Sequence, residues 1–254
     1  METFLFALVG WLAGVVVNRA ADNLPLHRSL FASPHCPACD APRPIPEQSG
    51  LLGLVFFRGR CSRCGAPSSF RAPIVEIVSA AAFAFLWSRY GATVQTALMA
   101  IYTTIFLLVL VTDLEHRLIF NVVIFPAIAF AALASPFSGT GWARALLGGA
   151  VAFVIVLAIY LFGKVFERVR GLSIKGGAFG QGDVTLSTFI GLVTGFPFVI
   201  NAIILGILLG GLGAIATLTY YAVVHRRLAL GAVFAYGPYL CIAGWLVMIF
   251  RIGF

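Results

Sequence analysis

Long apolar runs alternate along this chain with short polar stretches, and one polar stretch is far longer than the others. An apolar run of about 17–25 residues is enough to cross a bilayer as a helix. On that measure the sequence predicts spans near 3–20, 73–90, 94–113, 120–137, 143–166, 199–224 and 232–252. A shorter, glycine-bearing run at 184–198 makes an eighth, divided from its successor by the turn signal Gly195-Phe196-Pro197. The expected architecture is therefore all-α, a polytopic helical membrane protein with about eight spans. It divides into a first transmembrane helix at 1–20, a polar loop at 21–72 and a transmembrane domain at 73–254.

Composition agrees. The chain is 61% hydrophobic and only 10% charged, which excludes a soluble globular protein. Its net charge of +8 would suit a nucleic-acid partner, but the placement of the cations argues against one. With the N-terminus outside, 14 of the 17 Lys and Arg residues fall on inside loops, leaving Arg89, Arg144 and Arg251 outside. That bias is the one expected of a membrane topology. Met1-Glu2-Thr3-Phe4 carries no basic lead, and Arg19 follows the first apolar run, so the first helix is expected to be retained rather than cleaved. G-x-x-x-G spacings at Gly10/Gly14, Gly191/Gly195 and Gly206/Gly210 suit close helix packing in lipid.

The long loop holds four of the five cysteines, as Cys36-Pro-Ala-Cys39 and Cys61-Ser-Arg-Cys64 with 21 residues between them. Two C-x-x-C hairpins can present four thiolates to one tetrahedral ion, the Cys₄ pattern of structural zinc, and one ion per chain is expected. Redox or disulfide chemistry is the alternative, which a cytoplasmic loop disfavours. His27 and His35 are further possible ligands. A loop of this size buries little core, so a metal staple makes physical sense. Cys241, inside the last span, reads as a small buried hydrophobe.

Two acids stand at the ends of spans. Asp113 is the first charge after the apolar run of the third helix, deeper than Glu115 or Arg117; His116 and Arg117 follow at helical spacing on its face. Asp183 closes the glycine-rich run Gly176-Gly177-Ala178-Phe179-Gly180-Gln181-Gly182-Asp183. Acids at membrane depth are functional candidates, and the glycines would allow positive φ or close approach of a substrate chain. A helix N-cap is the plainer reading of Asp183. In the expected topology both aspartates reach the same, cytoplasmic edge on different helices. Carboxyls about 3 Å apart cannot both ionise, so one would hold a proton while the other acts as base, activating a water. No G-x-S-x-G or H-E-x-x-H occurs.

In these pieces and their order the chain resembles the type IV prepilin peptidases, intramembrane aspartic proteases of the G-x-G-D class. The resemblance runs through Gly14 and Asn18, Leu24-Pro25, Cys36-Pro-Ala-Cys39, Arg58-Gly-Arg-Cys61-Ser-Arg-Cys64, Pro73-Ile-Val-Glu76, Asp113 to Asn121, Gly180-Gln-Gly-Asp183 and Gly237-Pro238. It implies that Asp113 and Asp183 are the catalytic pair and that Cys36, Cys39, Cys61 and Cys64 bind zinc. It also implies a bacterial inner-membrane enzyme that cuts pilin or pseudopilin precursors at the cytoplasmic face. The new N-terminus would then be methylated with S-adenosylmethionine. Glu76 reads as an interfacial acid, or alternatively as a contact for that methyl donor. The chain departs from the family pattern at Thr185, where Lys is usual, at Phe120 before Asn121, and at Asn23 before Leu24-Pro25; Ser-Phe after Gly14 is also missing. A proton-coupled transporter and a non-catalytic zinc-bearing scaffold are the competing classes. Membrane lipid is expected as a partner, and nucleic acid is not.

Overall fold

The computed structural model describes residues 1–29, 32–36, 38–170, 180–224 and 235–251. Among them the secondary structure is helical, with two isolated β-bridges and no strand. Eight long helices stand where the apolar runs lie: α1 (Glu2–Asn23), α3 (Arg71–Tyr90), α4 (Val94–His116), α5 (Asn121–Ala134), α6 (Trp142–Arg170), α7 (Gln181–Thr194), α8 (Phe198–Val224) and α9 (Gly237–Phe250). Five of them, α1, α3, α4, α6 and α8, are long and apolar enough to cross a membrane. Helices α5, α7 and α9 have 14 residues each. That is about 21 Å of helix at ~1.5 Å per residue, short of the ~30 Å hydrocarbon core. The division of 184–198 from the next helix falls at the expected turn: α7 stops at Thr194 and Gly195 takes φ 73°, a conformation that disfavours a side chain. One further helix, α2 (Gly50–Phe57), stands inside the stretch read from sequence as a polar loop.

The chain forms two compact units, Met1–Leu108 and Val109–Phe254. In the first, α1 packs along α3 at the glycines of its G-x-x-x-G pair. A Cβ on Gly14 would stand 2.7 Å from the Glu76 Cα, so only glycine allows this approach. Phe6 packs its ring on Phe83 and Trp87, at 5.5 and 4.9 Å between centroids. Where the two helices meet the loop, Arg71 pairs with Asp22 at 2.6 Å and Asn18 donates to the Ala72 carbonyl at 3.0 Å.

In the second unit α7 is the hub, packed by α5, α6, α8 and α9. Every residue from Leu186 to Thr194 except Thr188 is buried. Such a helix belongs in the interior of a bundle. Gly191 of α7 meets Gly148 of α6 backbone to backbone, and a Cβ on either would overlap the other's carbonyl oxygen. Gly206 and Gly210 of α8 lie against Leu240 and Tyr236 beside α9. All three G-x-x-x-G pairs thus face a neighbouring helix.

Candidate active site

Asp113 lies near the C-terminal end of α4, buried beneath the apolar run that precedes it, while Glu115, His116 and Arg117 are exposed. The helix ends at Arg117, which takes φ 55° and donates its N–H to the Asp113 carbonyl at 2.9 Å. Its guanidinium lies within electrostatic reach of the Asp113 carboxyl. His116 instead sits 3.9 Å from Glu115.

Asp183 occupies the third position of α7 and is buried. Its Oδ2 accepts the N–H of the N-cap residue, Gly180, at 2.7 Å. The capping reading from sequence was therefore right about the element and wrong about the position: Asp183 reaches back to the cap instead of forming it. Neither Gly180 nor Gly182 has positive φ. A Cβ on Gly182 would stand 3.0 Å from the Ile119 Cβ, so this glycine allows close packing against the segment after α4. Gly176, Gly177, Ala178 and Phe179 lie outside the described residues, as do Lys175, Arg226 and Arg227.

The Ile119–Gly182 contact joins the two aspartate-bearing segments, and Asp113 and Asp183 lie within electrostatic reach of each other. The start of α9 completes the surroundings. Gly237 donates its N–H to Asp113, Tyr236 lies within reach of Asp183, and Cys241, fully buried, lies within reach of both carboxyls. Each aspartate thus receives a backbone N–H from a glycine at the start of a helix, where unpaired amide donors favour an anion. Two buried carboxyls within electrostatic reach influence each other's protonation. A carboxylate and a carboxylic acid side by side would serve as base and acid toward one water. Cys241 is buried, as its place in an apolar run predicts, while Gly237 enters the sequence reading only through the family resemblance. The available signal was Gly-Pro as a helix start.

The second cluster lies in the first unit. The Sγ atoms of Cys36, Cys39, Cys61 and Cys64 all fall within 4.8 Å of one another, with Cys36 and Cys64 at 3.7 Å. Zn–S bonds of about 2.3 Å in a tetrahedron put sulfurs about 3.8 Å apart, so the four thiols fit a metal ion. The two hairpins are structural copies. Cys36 donates its N–H to Ala41, Asp40 to Cys36 and Arg43 to Pro34; at a constant offset, Cys61 donates to Ala66, Gly65 to Cys61 and Ser68 to Gly59. The bridges His35–Pro42 and Arg60–Pro67 obey the same offset. The same repeat stands in the sequence as C-x-x-C-x-A-P at 36–42 and 61–67. Amides of Ala38 and Cys39 hold the Cys36 thiol down to about 6. The Ala66 amide lowers Cys64, but the neighbouring sulfurs and burial prevail and push it up to about 12. Neither His27 nor His35 joins the cluster.

Glu76 corrects the sequence reading most sharply. It is fully buried within the protein, not a solvent- or lipid-facing acid. Its carboxylate accepts from Trp11 Nε1 at 2.9 Å, Ser49 Oγ at 2.7 Å, and the N–H groups of Gly50 at 2.6 Å and Leu51 at 3.0 Å. The acid thus closes the N-terminus of α2, whose own cap is Ser49. With its acceptors occupied by the protein, Glu76 does not fit the role of a methyl-donor contact.

Residues 7–90 match the family model for the bacterial peptidase A24 N-terminal domain, and residues 100–215 match that of the type IV leader peptidase family. Among curated proteins the chain is similar to the prepilin leader peptidase/N-methyltransferase of Bacillus subtilis (strain 168), 32% identical over 86% of this chain and 84% of that protein. It is also similar to proteins of the same name from Stutzerimonas stutzeri, at 26% identity, and Pseudomonas aeruginosa, at 25%, each over 91% of this chain and 74% of the relative. No solved structure matches.

Proposed function

The chain belongs to the type IV leader peptidase family, and we propose that Asp113 and Asp183 are the catalytic pair with which it removes the leaders of type IV prepilins or pseudopilins. The observation that carries this reading is the placement of two buried carboxyls from different helices within electrostatic reach of each other, each beside a glycine N–H. The unprotonated carboxylate takes a proton from a water held between the two. The water oxygen attacks the scissile carbonyl carbon while the protonated aspartate donates a hydrogen bond to the carbonyl oxygen. Collapse of the tetrahedral intermediate breaks the C–N bond, and the departing nitrogen takes a proton from the pair. The leader leaves with a new carboxylate, and the pilin keeps a new amine.

That amine is the acceptor in the second activity, N-methylation, for which S-adenosylmethionine supplies an electrophilic methyl group. The loop at 21–72 offers the polar, cytosolic surface such a donor requires. We assign zinc, one ion per chain, to Cys36, Cys39, Cys61 and Cys64, as a structural staple of that loop, and the peptidase to residues 73–254. The excess of Lys and Arg on alternate loops supports a bacterial inner-membrane topology with both termini outside and the loop in the cytoplasm.

The test is incubation of the purified protein with a pilin precursor and S-adenosylmethionine, followed by mass spectrometry. Loss of the leader together with gain of one methyl group is expected. A precursor of unchanged mass would refute the assignment.

A further inference from the structure

Helix α2 has the sequence Gly50-Leu-Leu-Gly-Leu-Val-Phe-Phe57, apolar at every position, yet none of its residues is buried. A helix that is apolar all round ordinarily sits inside a protein or a membrane. Leu54, Val55 and Phe56 are exposed side by side, and Val55 and Phe56 keep 71% and 68% of their surface. At eight residues the helix is about 12 Å long, far too short to cross a bilayer.

Its position supplies the missing partner. Gly50 packs so closely on the first turn of α3 that a Cβ there would lie within 2.6 Å of Ala72. Glu76, on the next turn of α3, closes the N-terminus of α2. Helix α3 is a candidate membrane span, and its outward apolar face begins at Ile74 and continues through Ile77 and Val78. The start of α2 is therefore fixed at the depth where the exposed apolar surface of a span begins. Directly after α2 come Arg58, Arg60 and Arg63, all exposed. Phe70, 75% exposed, stands beside the start of α3. An apolar helix rich in phenylalanine and edged by arginine is the pattern of a segment lying in the membrane interface, with its side chains among the acyl chains and its cations among anionic headgroups.

We propose that α2 is an interfacial membrane helix. Leu54, Val55 and Phe56 insert into the bilayer, and Arg58, Arg60 and Arg63 bind anionic lipid headgroups. The metal-binding loop is then laid against the membrane surface instead of projecting freely from it. The inference rests on the membrane reading of α1 and α3 and is independent of the peptidase chemistry.

The test uses full-length Phe56→Trp protein, with emission compared against the unsubstituted chain, in vesicles of phosphatidylethanolamine and phosphatidylglycerol doped with lipid spin-labelled near the headgroup. The added indole should emit at short wavelength and be quenched severalfold more strongly by the labelled lipid than by aqueous iodide. Val55→Trp repeats the measurement should the first variant fold poorly. Dominant quenching by iodide would overturn the proposal, because the helix would then face water. Shielding from both quenchers would overturn it equally, because α2 would then be covered by protein, whether a second copy or an apolar segment of substrate. In vesicles of phosphatidylcholine alone the lipid quenching should fall; no change would remove the arginines from the proposal.

Discussion

Gly237 donates its backbone N–H to the carboxyl of Asp113, and a Cβ at position 237 would stand 2.5 Å from that residue's Oδ2. The glycine therefore does two things at once. It supplies a donor at the start of α9 and leaves the space in which the carboxylate sits. Alanine would keep the donor and fill the space, pushing the aspartate away.

Gly237→Ala is accordingly expected to slow leader cleavage by on the order of 100-fold, the usual effect of misplacing a catalytic group by about 1 Å. KM should change little, since the substitution lies against the aspartate and adds no polar group. Initial rates over a range of precursor concentration, on protein of matched thermal stability, check it. A rate within a few-fold of the parent would show that Asp113 tolerates the shift.

Much of this protein is legible in its sequence because lipid leaves few choices. Backbone in the bilayer must bond to itself, so a long apolar run is a helix, and α1, α3, α4, α6 and α8 follow directly. The cysteine hairpins were readable from spacing alone. What the sequence does not show depends on partners distant in the chain. Trp11 and Ser49, which show Glu76 to be a buried cap, lie 65 and 27 residues away from it. Gly237 finds Asp113 only when α9 meets the end of α4. Helix α2 is hidden by length: eight apolar residues are too few to register as a span within a loop defined by its charges.

Glu76→Gln should destabilise the first unit while leaving its shape almost unchanged in size. All four partners of the carboxylate point hydrogen atoms at it. A glutamine amide would set its own N–H groups against at least one of those donors. A buried donor left unpaired, together with the loss of charge-assisted bonds, costs about 3 kcal/mol. Limited proteolysis around residues 45–58, measured in membranes, should accelerate correspondingly. Parent-like protection would mean that the α2 terminus is held by Ser49 alone.

Protein purified without chelators should carry one zinc per chain. Zinc binding in small sites contributes on the order of 10 kcal/mol of folding free energy. Single Cys→Ser changes at Cys36 or Cys61, the two buried members, should therefore loosen the loop and release the ion. The helices of the second unit should keep their thermal transition. Elemental analysis and proteolysis of the same samples decide the matter, and metal-free parent protein with a protease-resistant loop would rule zinc out.

Topology is open to direct labelling. Gly139 is exposed in the connection between α5 and α6, which the charge distribution puts outside. A Gly139→Cys variant should react with a membrane-impermeant maleimide added from the periplasmic side. Reaction only in inverted vesicles would reverse the assignment and with it the cytoplasmic placement of both aspartates.

The dyad itself makes the sharpest prediction. Asp113 belongs to the end of α4 and Asp183 to the start of α7, and each receives an N–H from a different glycine. Asparagine in either position keeps the size and an acceptor oxygen, so the packing of Ile119 on Gly182 and the donation from Gly237 or Gly180 should survive. What disappears is the capacity to take or give a proton. A water between an aspartate and an asparagine has at most one partner able to hold its proton, and the carbonyl oxygen of the substrate then faces no acid. Asp113→Asn and Asp183→Asn should each abolish leader cleavage almost completely. The double substitution should be no worse than either alone, as expected of groups that act as a unit. Methylation of a substrate supplied already cleaved should continue in both single variants, because it uses the new amine and needs no activated water. Matched expression and thermal stability make the comparison fair, and substantial cleavage by either single variant would falsify the two-aspartate mechanism.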